Sequence, residues 1–334
     1  MPKLTALDEY FVHQIPEPLP SVVTHHQHWR ESLFFVLHPR DRLGDVVILT
    51  MALFPARGEL DSLQLGMVGA TPTVARHARP AGDDPHSFDV GPVHIEIVEA
   101  YHKVRLQVED GIEVPVALDL TFTARTAPYG LRRGTMRAGH ELIWDQSHML
   151  QSGTYRGTYT HQGRRYRVDD WWGQRDHSWG IRDHARCPFW MWLAVQLPDG
   201  MIGVWHWELA NGARIFTDGC FAPAGGGEPV PIIDLRHELQ WIDAGGEVVS
   251  YARDGEEVAG IAGHVDITLE GGQEIGLDAK GRWAQRYGPV GGGLNQVEVT
   301  TDDGRRGTGI YELTGAHHHR YFPIPRADRL PPNG

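Results

Sequence analysis

Fourteen residues near the middle of the chain, Trp171-Trp172-Gly173-Gln174-Arg175-Asp176-His177-Ser178-Trp179-Gly180-Ile181-Arg182-Asp183-His184, combine three tryptophans, two arginines, two aspartates and two histidines. Large aromatic faces mixed with titratable groups suit a pocket where apolar binding meets proton transfer. Asp176 and Asp183 are the candidate acids. A carboxyl group desolvated among tryptophans holds its proton more tightly and can donate it to an alkene, an alkoxide or a leaving hydroxyl. Each aspartate follows close on an arginine, Arg175 or Arg182. A guanidinium pulls the other way, toward a plain ion pair, or steadies an oxyanion or phenolate on the substrate. His177 and His184 have the right intrinsic basicity for a base or proton shuttle. The expected catalytic group is Asp176 as acid and His177 as base, with Arg175 and Asp183 beside them. The competing reading is a buried ion-pair and tryptophan seam that only holds the protein together.

Seven of the eleven tryptophans (Trp171, Trp172, Trp179, Trp190, Trp192, Trp205 and Trp207) fall between positions 171 and 207. Aromatic faces bind flat or polyene-like ligands and stabilise developing cations. Trp172, Trp179, Trp192 and Trp205, with Arg182, are the expected substrate contacts, and the remaining tryptophans fill core. Two histidine clusters, His25-His26-Gln27-His28 and His317-His318-His319, sit in expected loop or terminal sequence rather than on the fixed elements that usually present metal ligands. No metal is expected. No cofactor is expected either, because the chain has no glycine-rich dinucleotide or phosphate loop, no Gly-x-Ser-x-Gly elbow and no His-Glu-x-x-His. Cys187 and Cys220 lack any reactive signature, so a thiol nucleophile is not expected.

Side chains two apart on a strand share a face, so the elements that carry these residues decide which can meet. Forty glycines and twenty-two prolines punctuate short β-prone runs, an all-β signature. Strands are expected at 33–38, 46–53, 93–99, 103–108, 114–125, 155–161, 190–197, 201–208, 232–241, 265–269 and 307–313. Turns such as Gln162-Gly163, Asn211-Gly212 and Asp302-Asp303-Gly304 make most connections antiparallel. A short helix is expected at 24–31 and a surface loop at 219–230. If 174–179 is extended, Asp176 and Ser178 face one way and Arg175, His177 and Trp179 the other.

At 334 residues the chain is long enough for two lobes, expected at 1–184 and 185–334. Its formal charge of -12 repels nucleic acid and anionic membranes. No run reaches the length of a membrane span, and the N-terminus has no apolar leader core. The expected setting is cytoplasmic, with an apolar small molecule as partner and no nucleic acid or membrane. A homodimer is compatible.

The run Gly173–Asp183, together with Asp145-Gln146-Ser147 and Gly153-x-Tyr155-Arg156-Gly157, resembles bacterial proteins related to hydroxyneurosporene synthase, the carotenoid 1,2-hydratase. The close match covers roughly 145–184. The resemblance implies two lipocalin-like antiparallel β-barrels or sandwiches in tandem. It also implies chemistry that begins with protonation of a double bond by a cavity aspartate, to which Asp176 corresponds, with Trp179 lining the cavity. Arg175 departs from that pattern. The expected function is a cofactor-independent lyase or isomerase of the hydration or elimination type, acting by acid/base catalysis on an apolar aromatic or terpenoid molecule. A non-catalytic lipophilic carrier and a histidine-dependent metalloenzyme are the alternatives.

Overall fold

The computed structural model describes residues 4–11, 26–82, 87–184, 186, 189–249, 257–287 and 292–315. The chain divides into two compact units, 1–39 with 44–184, and 40–43 with 185–334. Each unit is built on one antiparallel sheet that curls into a barrel.

The first unit comprises β1 (Trp29–Leu37), β2 (Val46–Phe54), β3 (Glu59–Val68), β4 (Thr71–Pro80), β5 (Asp89–Val90), β6 (Val93–Glu99), β7 (Lys103–Val108), β8 (Val116–Ala124), β9 (Tyr129–Gly130), β10 (Gly134–Ala138), β11 (Glu141–His161) and β12 (Arg164–Arg182). They run in the order β4-β3-β2-β1-β12-β11-β8-β7-β6-β5, with β9 and β10 both on β11, and β5 packs back against β3 and β4. β11 and β12 form a long hairpin closed by Gln162 and Gly163, whose φ of 50° and 73° give the paired left-handed turn that suits the twist of a hairpin. The interior of this unit is an apolar cluster that includes Leu33, Phe35, Leu49, Met51, Phe122, Tyr155 and Trp171.

The second unit comprises β13 (Phe189–Leu197), β14 (Gly200–Glu208), β15 (Arg214–Pro223), β16 (Val230–His237), β17 (Gln240–Ile242), β18 (Gly260–Leu269), β19 (Glu274–Arg286), β20 (Gly292–Thr301) and β21 (Arg306–Thr314). Their order is β16-β15-β14-β13-β21-β20-β19-β18-β17, and a further pairing of β16 with β18 closes the circuit. Met191, Leu193, Ile202, Val204, Leu235, Val265 and Tyr311 belong to its core.

Two local expectations fail. The part of 24–31 that is described is a turn leading into β1 at Trp29, because sheet pairing with β12 and β2 outweighs a weak helical preference. Thr24 and His25 lie outside the described residues. Within 219–230, residues 219–223 finish β15 and Val230 begins β16. Strands β3, β4, β19 and β20 were not expected. β4 is largely exposed and so lacks an apolar stripe, Gly276 and Gly281 thin out the side chains of β19, and β20 opens on two glycines and carries the polar Asn295 and Gln296. No helix among the described residues is long and apolar enough to cross a membrane.

Candidate active site on the central hairpin

The motif residues 171–182 all lie on β12, paired with β11 on one side and, from Arg175 to Ile181, with β1 on the other. Alternation divides them between two faces. Trp171, Arg175 and His177 lie on the face of the apolar interior, shared with Leu33, Phe35, Gln151 and Tyr155. Trp172, Gln174, Asp176 and Ser178 lie on the other, with Ser32, Phe34, His148 and Ser152 from the neighbouring strands.

The inward face carries a buried ionic network. Arg175 is 1% exposed and donates to both oxygens of Glu9, Nη1 to Oε2 at 2.6 Å and Nη2 to Oε1 at 2.5 Å. The same guanidinium reaches Gln151 Oε1 from Nε at 2.9 Å and from Nη2 at 2.7 Å. Glu9 also accepts the Tyr101 amide. The rings of Phe122 and Tyr101 lie 5.3 and 5.8 Å from the guanidinium carbon. His177 Nδ1 donates to the Asp8 carbonyl, and Nε2 is 3.0 Å from Glu31 Oε1. Trp179 meets the His177 ring edge-on at 5.3 Å between centroids. The network therefore ties the short 3-10 turn Ala6–Glu9 into the barrel. Every charge in it has a partner, as burial demands.

Glycine in the 153–157 motif has a steric explanation. Gly153 is paired with Gly173, and a Cβ on it would lie 2.1 Å from the Phe122 ring. A side chain there would displace the ring that packs on Arg175 and on Tyr155 at 5.3 Å. Burial pushes the Tyr155 hydroxyl well above the usual phenol range, so it stays a neutral group.

The opposite face carries a second pair. His148 Nε2 lies 3.2 Å from Asp176 Oδ2, with the side chains 7% and 9% exposed. Beside it is Ser178, whose Oγ is 3.4 Å from Ser32 Oγ and 3.1 Å from Arg182 Nη2. Farther along the same face are the buried aromatics Tyr129, opposite Leu150, and Trp144, opposite Arg182. Gln174 is fully buried, and among the described residues neither its amide nitrogen nor its oxygen has a hydrogen-bond partner; Gln146 Oε1 is in the same condition. A buried amide without a protein partner is costly unless water or a ligand supplies the missing hydrogen bond. At the end of this face His38 exchanges backbone hydrogen bonds with Trp172, and burial lowers its imidazole pKa to about 4.

The other expected site residues are more dispersed. Arg182 Nη2 donates to the Ser178 carbonyl at 2.9 Å, and Asp183 Oδ2 lies 3.7 Å from His28 Nε2. Trp172 stacks under Arg125, 4.4 Å from ring centroid to guanidinium carbon. Trp192 and Trp205 belong to the second unit, where they are cross-strand partners, and Trp205 meets Trp207 edge-on at 4.7 Å. Cys220 is buried, which pushes its thiol up and leaves it unreactive. His25 and His317–His319 lie outside the described residues, and among those described no cluster of three or more His, Cys, Asp or Glu side chains fits a metal ion. The residue that sequence reasoning missed is His148. It follows the Asp145-Gln146-Ser147 motif directly, but only the pairing of β11 with β12 brings it to Asp176.

With the geometry in view, comparison with known proteins assigns the family. Residues 4–251 match the model of a family described only as of unknown function, DUF8625. The chain belongs to that family. No curated protein matches it in sequence. Its fold is similar to that of a candidate AttH protein from Nitrosomonas europaea, at 13% identity and a TM-score of 0.60, covering 90% of this chain and 97% of that one. It is also similar to kievitone hydratase from Nectria haematococca (12% identity, TM-score 0.55, 85% and 88% covered). The structure of CghA with Sch210972 is a further neighbour (13% identity, TM-score 0.55, 86% and 88% covered). At these identities the likeness establishes a shared fold, which hosts chemistry without dictating it.

Proposed function

We propose that this member of the DUF8625 family is a cofactor-independent lyase or isomerase of the hydration or elimination type, acting on an apolar aromatic or terpenoid small molecule. The observation that carries this reading is the buried Asp176–His148 pair, 3.2 Å apart on the face of β12 that turns away from the apolar interior. A carboxyl and an imidazole in contact can hold one proton between them and pass it on. In the forward direction Asp176 delivers that proton to one carbon of a double bond. Water then adds to the other carbon, and its surplus proton returns to the pair through His148. Elimination runs through the same steps in reverse, so atoms and charge balance without a cofactor.

Gln174 and Gln146, buried with unsatisfied amide atoms, offer hydrogen bonds to a hydroxyl or carbonyl of the substrate. Tyr129 and Trp144 are buried aromatics farther along the same face. Arg175 and His177, expected to take part in the chemistry, are given a positioning role here: they lock the interior behind β12. That one fold neighbour is named a hydratase supports the reaction class.

The test is incubation with a panel of aromatic and isoprenoid alkenes and their hydrated alcohols in isotopically labelled water. The expected result is conversion of at least one compound by gain or loss of one labelled water. Asp176→Asn should remove that conversion while circular dichroism stays unchanged. Recovery of every bound compound unaltered would instead identify a lipophilic carrier.

A further inference from the structure

The second unit holds a cavity of about 610 Å³ that the proposed reaction does not use. It exists because the barrel parts between β15 and β16. These strands pair only at Cys220 with Pro231 and Phe221 with Val230. Beyond that point β16 follows β18, from Ile232 opposite Leu269 to His237 opposite Val265, while β15 stays on β14. The ion pair of Arg214 with Asp234 spans the gap where the backbone ladder is missing.

Interior-facing side chains form the floor of this opening. His206, Glu208 and His237 are 1%, 6% and 7% exposed. His206 Nε2 lies 2.8 Å and His237 Nε2 3.6 Å from the same oxygen, Glu208 Oε1. Thr217 Oγ1 is 2.7 Å from His206 Nδ1, which fixes the ring. At the rim Arg236 also leans on Asp234, at 3.5 Å, and His264 lies 3.0 Å from Asp266 and 2.8 Å from Asp278.

The lining places four carboxylates (Glu208, Asp234, Glu238 and Asp266) against two guanidiniums, both leaning on Asp234, and three imidazoles. His206 and His237 face Glu208, and His264 leans on Asp266 and on Asp278 outside the lining, so the carboxylates outnumber the fixed cations. A concave, partly desolvated wall with that balance concentrates positive ligands. The volume is in the range of small-molecule sites and far exceeds a bare ion. No three ligating side chains among the described residues are arranged to hold a metal. From this geometry we infer that the cavity between β15 and β16 is a binding site for a small aliphatic amine. One ammonium group sits at Glu208, and a second group lies toward Glu238 and Asp266. The site is independent of the reaction assigned to β12.

The test uses spermidine as probe and citrate as anionic control, both in 150 mM sodium chloride, on the full-length protein. Binding is followed by calorimetry and by the imidazole signals of His206 and His237 in NMR spectra. Spermidine should saturate a single site, shift both imidazole signals and bind at least tenfold more weakly to Glu208→Gln. Should that variant fail to fold, the rim variant Glu238→Gln/Asp266→Asn provides the check, with an expected weakening of at least fivefold. The inference is overturned by non-saturating spermidine binding that neither variant alters, or by citrate perturbing the same two histidines more strongly than spermidine does.

Discussion

The two faces of β12 carry similar groups in opposite conditions. Inward, Arg175 and His177 are matched by Glu9, Gln151, Glu31 and the Asp8 carbonyl, with the hydrogen bonds of the guanidinium and both ring nitrogens accounted for. Outward, Asp176 has His148, and Gln174 beside it is buried with its amide unsatisfied. A matched network of charges rigidifies and specifies a fold, whereas buried amides without a partner keep capacity for a ligand. The contrast lies between the charged groups and the amides, since the inward Tyr155 hydroxyl is also buried without a hydrogen bond among the described residues. The same strand thus separates a structural lock from a candidate chemical face by the thickness of one backbone.

The sharpest way to break that contrast is at Asp176. Once a substrate is in hand, Asp176→Asn should lower turnover by about 10²–10⁴-fold, the usual weight of a general acid, and His148→Gln should act in the same direction. Because both side chains are buried, each variant should also cost some stability, but less than Arg175→Ala, since Asn and Gln keep a hydrogen-bonding atom in place. Unchanged turnover would move the chemistry away from this face.

Arg175 should show the reverse. Arg175→Ala leaves Glu9 buried without its partner, so unfolding free energy should fall by about 3–5 kcal/mol. The paired change Glu9→Leu/Arg175→Met should recover most of that loss in the same denaturation assay. If the single variant is as stable as the parent, the inward network is not a lock.

A smaller effect is expected at Gly153. Gly153→Ala presses a methyl group into Phe122, and such overpacking typically destabilises by about 1–3 kcal/mol. Adding Phe122→Leu should relieve it, which calorimetric melting of both variants would reveal.

The pH dependence concerns His38. Folded, its imidazole stays neutral until about pH 4, while in the unfolded chain it takes up a proton near 6.5. The unfolded state therefore binds more protons between those values, and the contribution present at pH 7 is lost as pH falls. From pH 7 to pH 5 it amounts to about 2 kcal/mol. His38→Gln should flatten the urea-midpoint profile across that window. A profile as steep as the parent's would assign the acid sensitivity to other groups.

Much of this was legible in the chain itself. The turns at Gln162-Gly163 and Asp302-Asp303-Gly304 mark real hairpins. Strands 93–99 and 103–108 stand where alternation puts them. Strands whose side chains meet solvent or are interrupted by glycine, such as β4 and β19, left no comparable trace, because period-two alternation is visible only where one face is apolar.

For the site itself, alternation alone determined that Asp176 and Ser178 part from Arg175 and His177, since side chains two apart on any extended strand share a face. Alternation has no sign, so it left open which face turns to the core. Tertiary structure decided that by folding β1, β11 and β12 into one sheet with the apolar side chains of the barrel on a common side. The partners came the same way. Glu9 lies 166 residues from Arg175 in sequence, and His148 meets Asp176 only through the register of a hairpin. Contacts between distant segments are selected by the packing of the whole barrel, and no local pattern of residues encodes them.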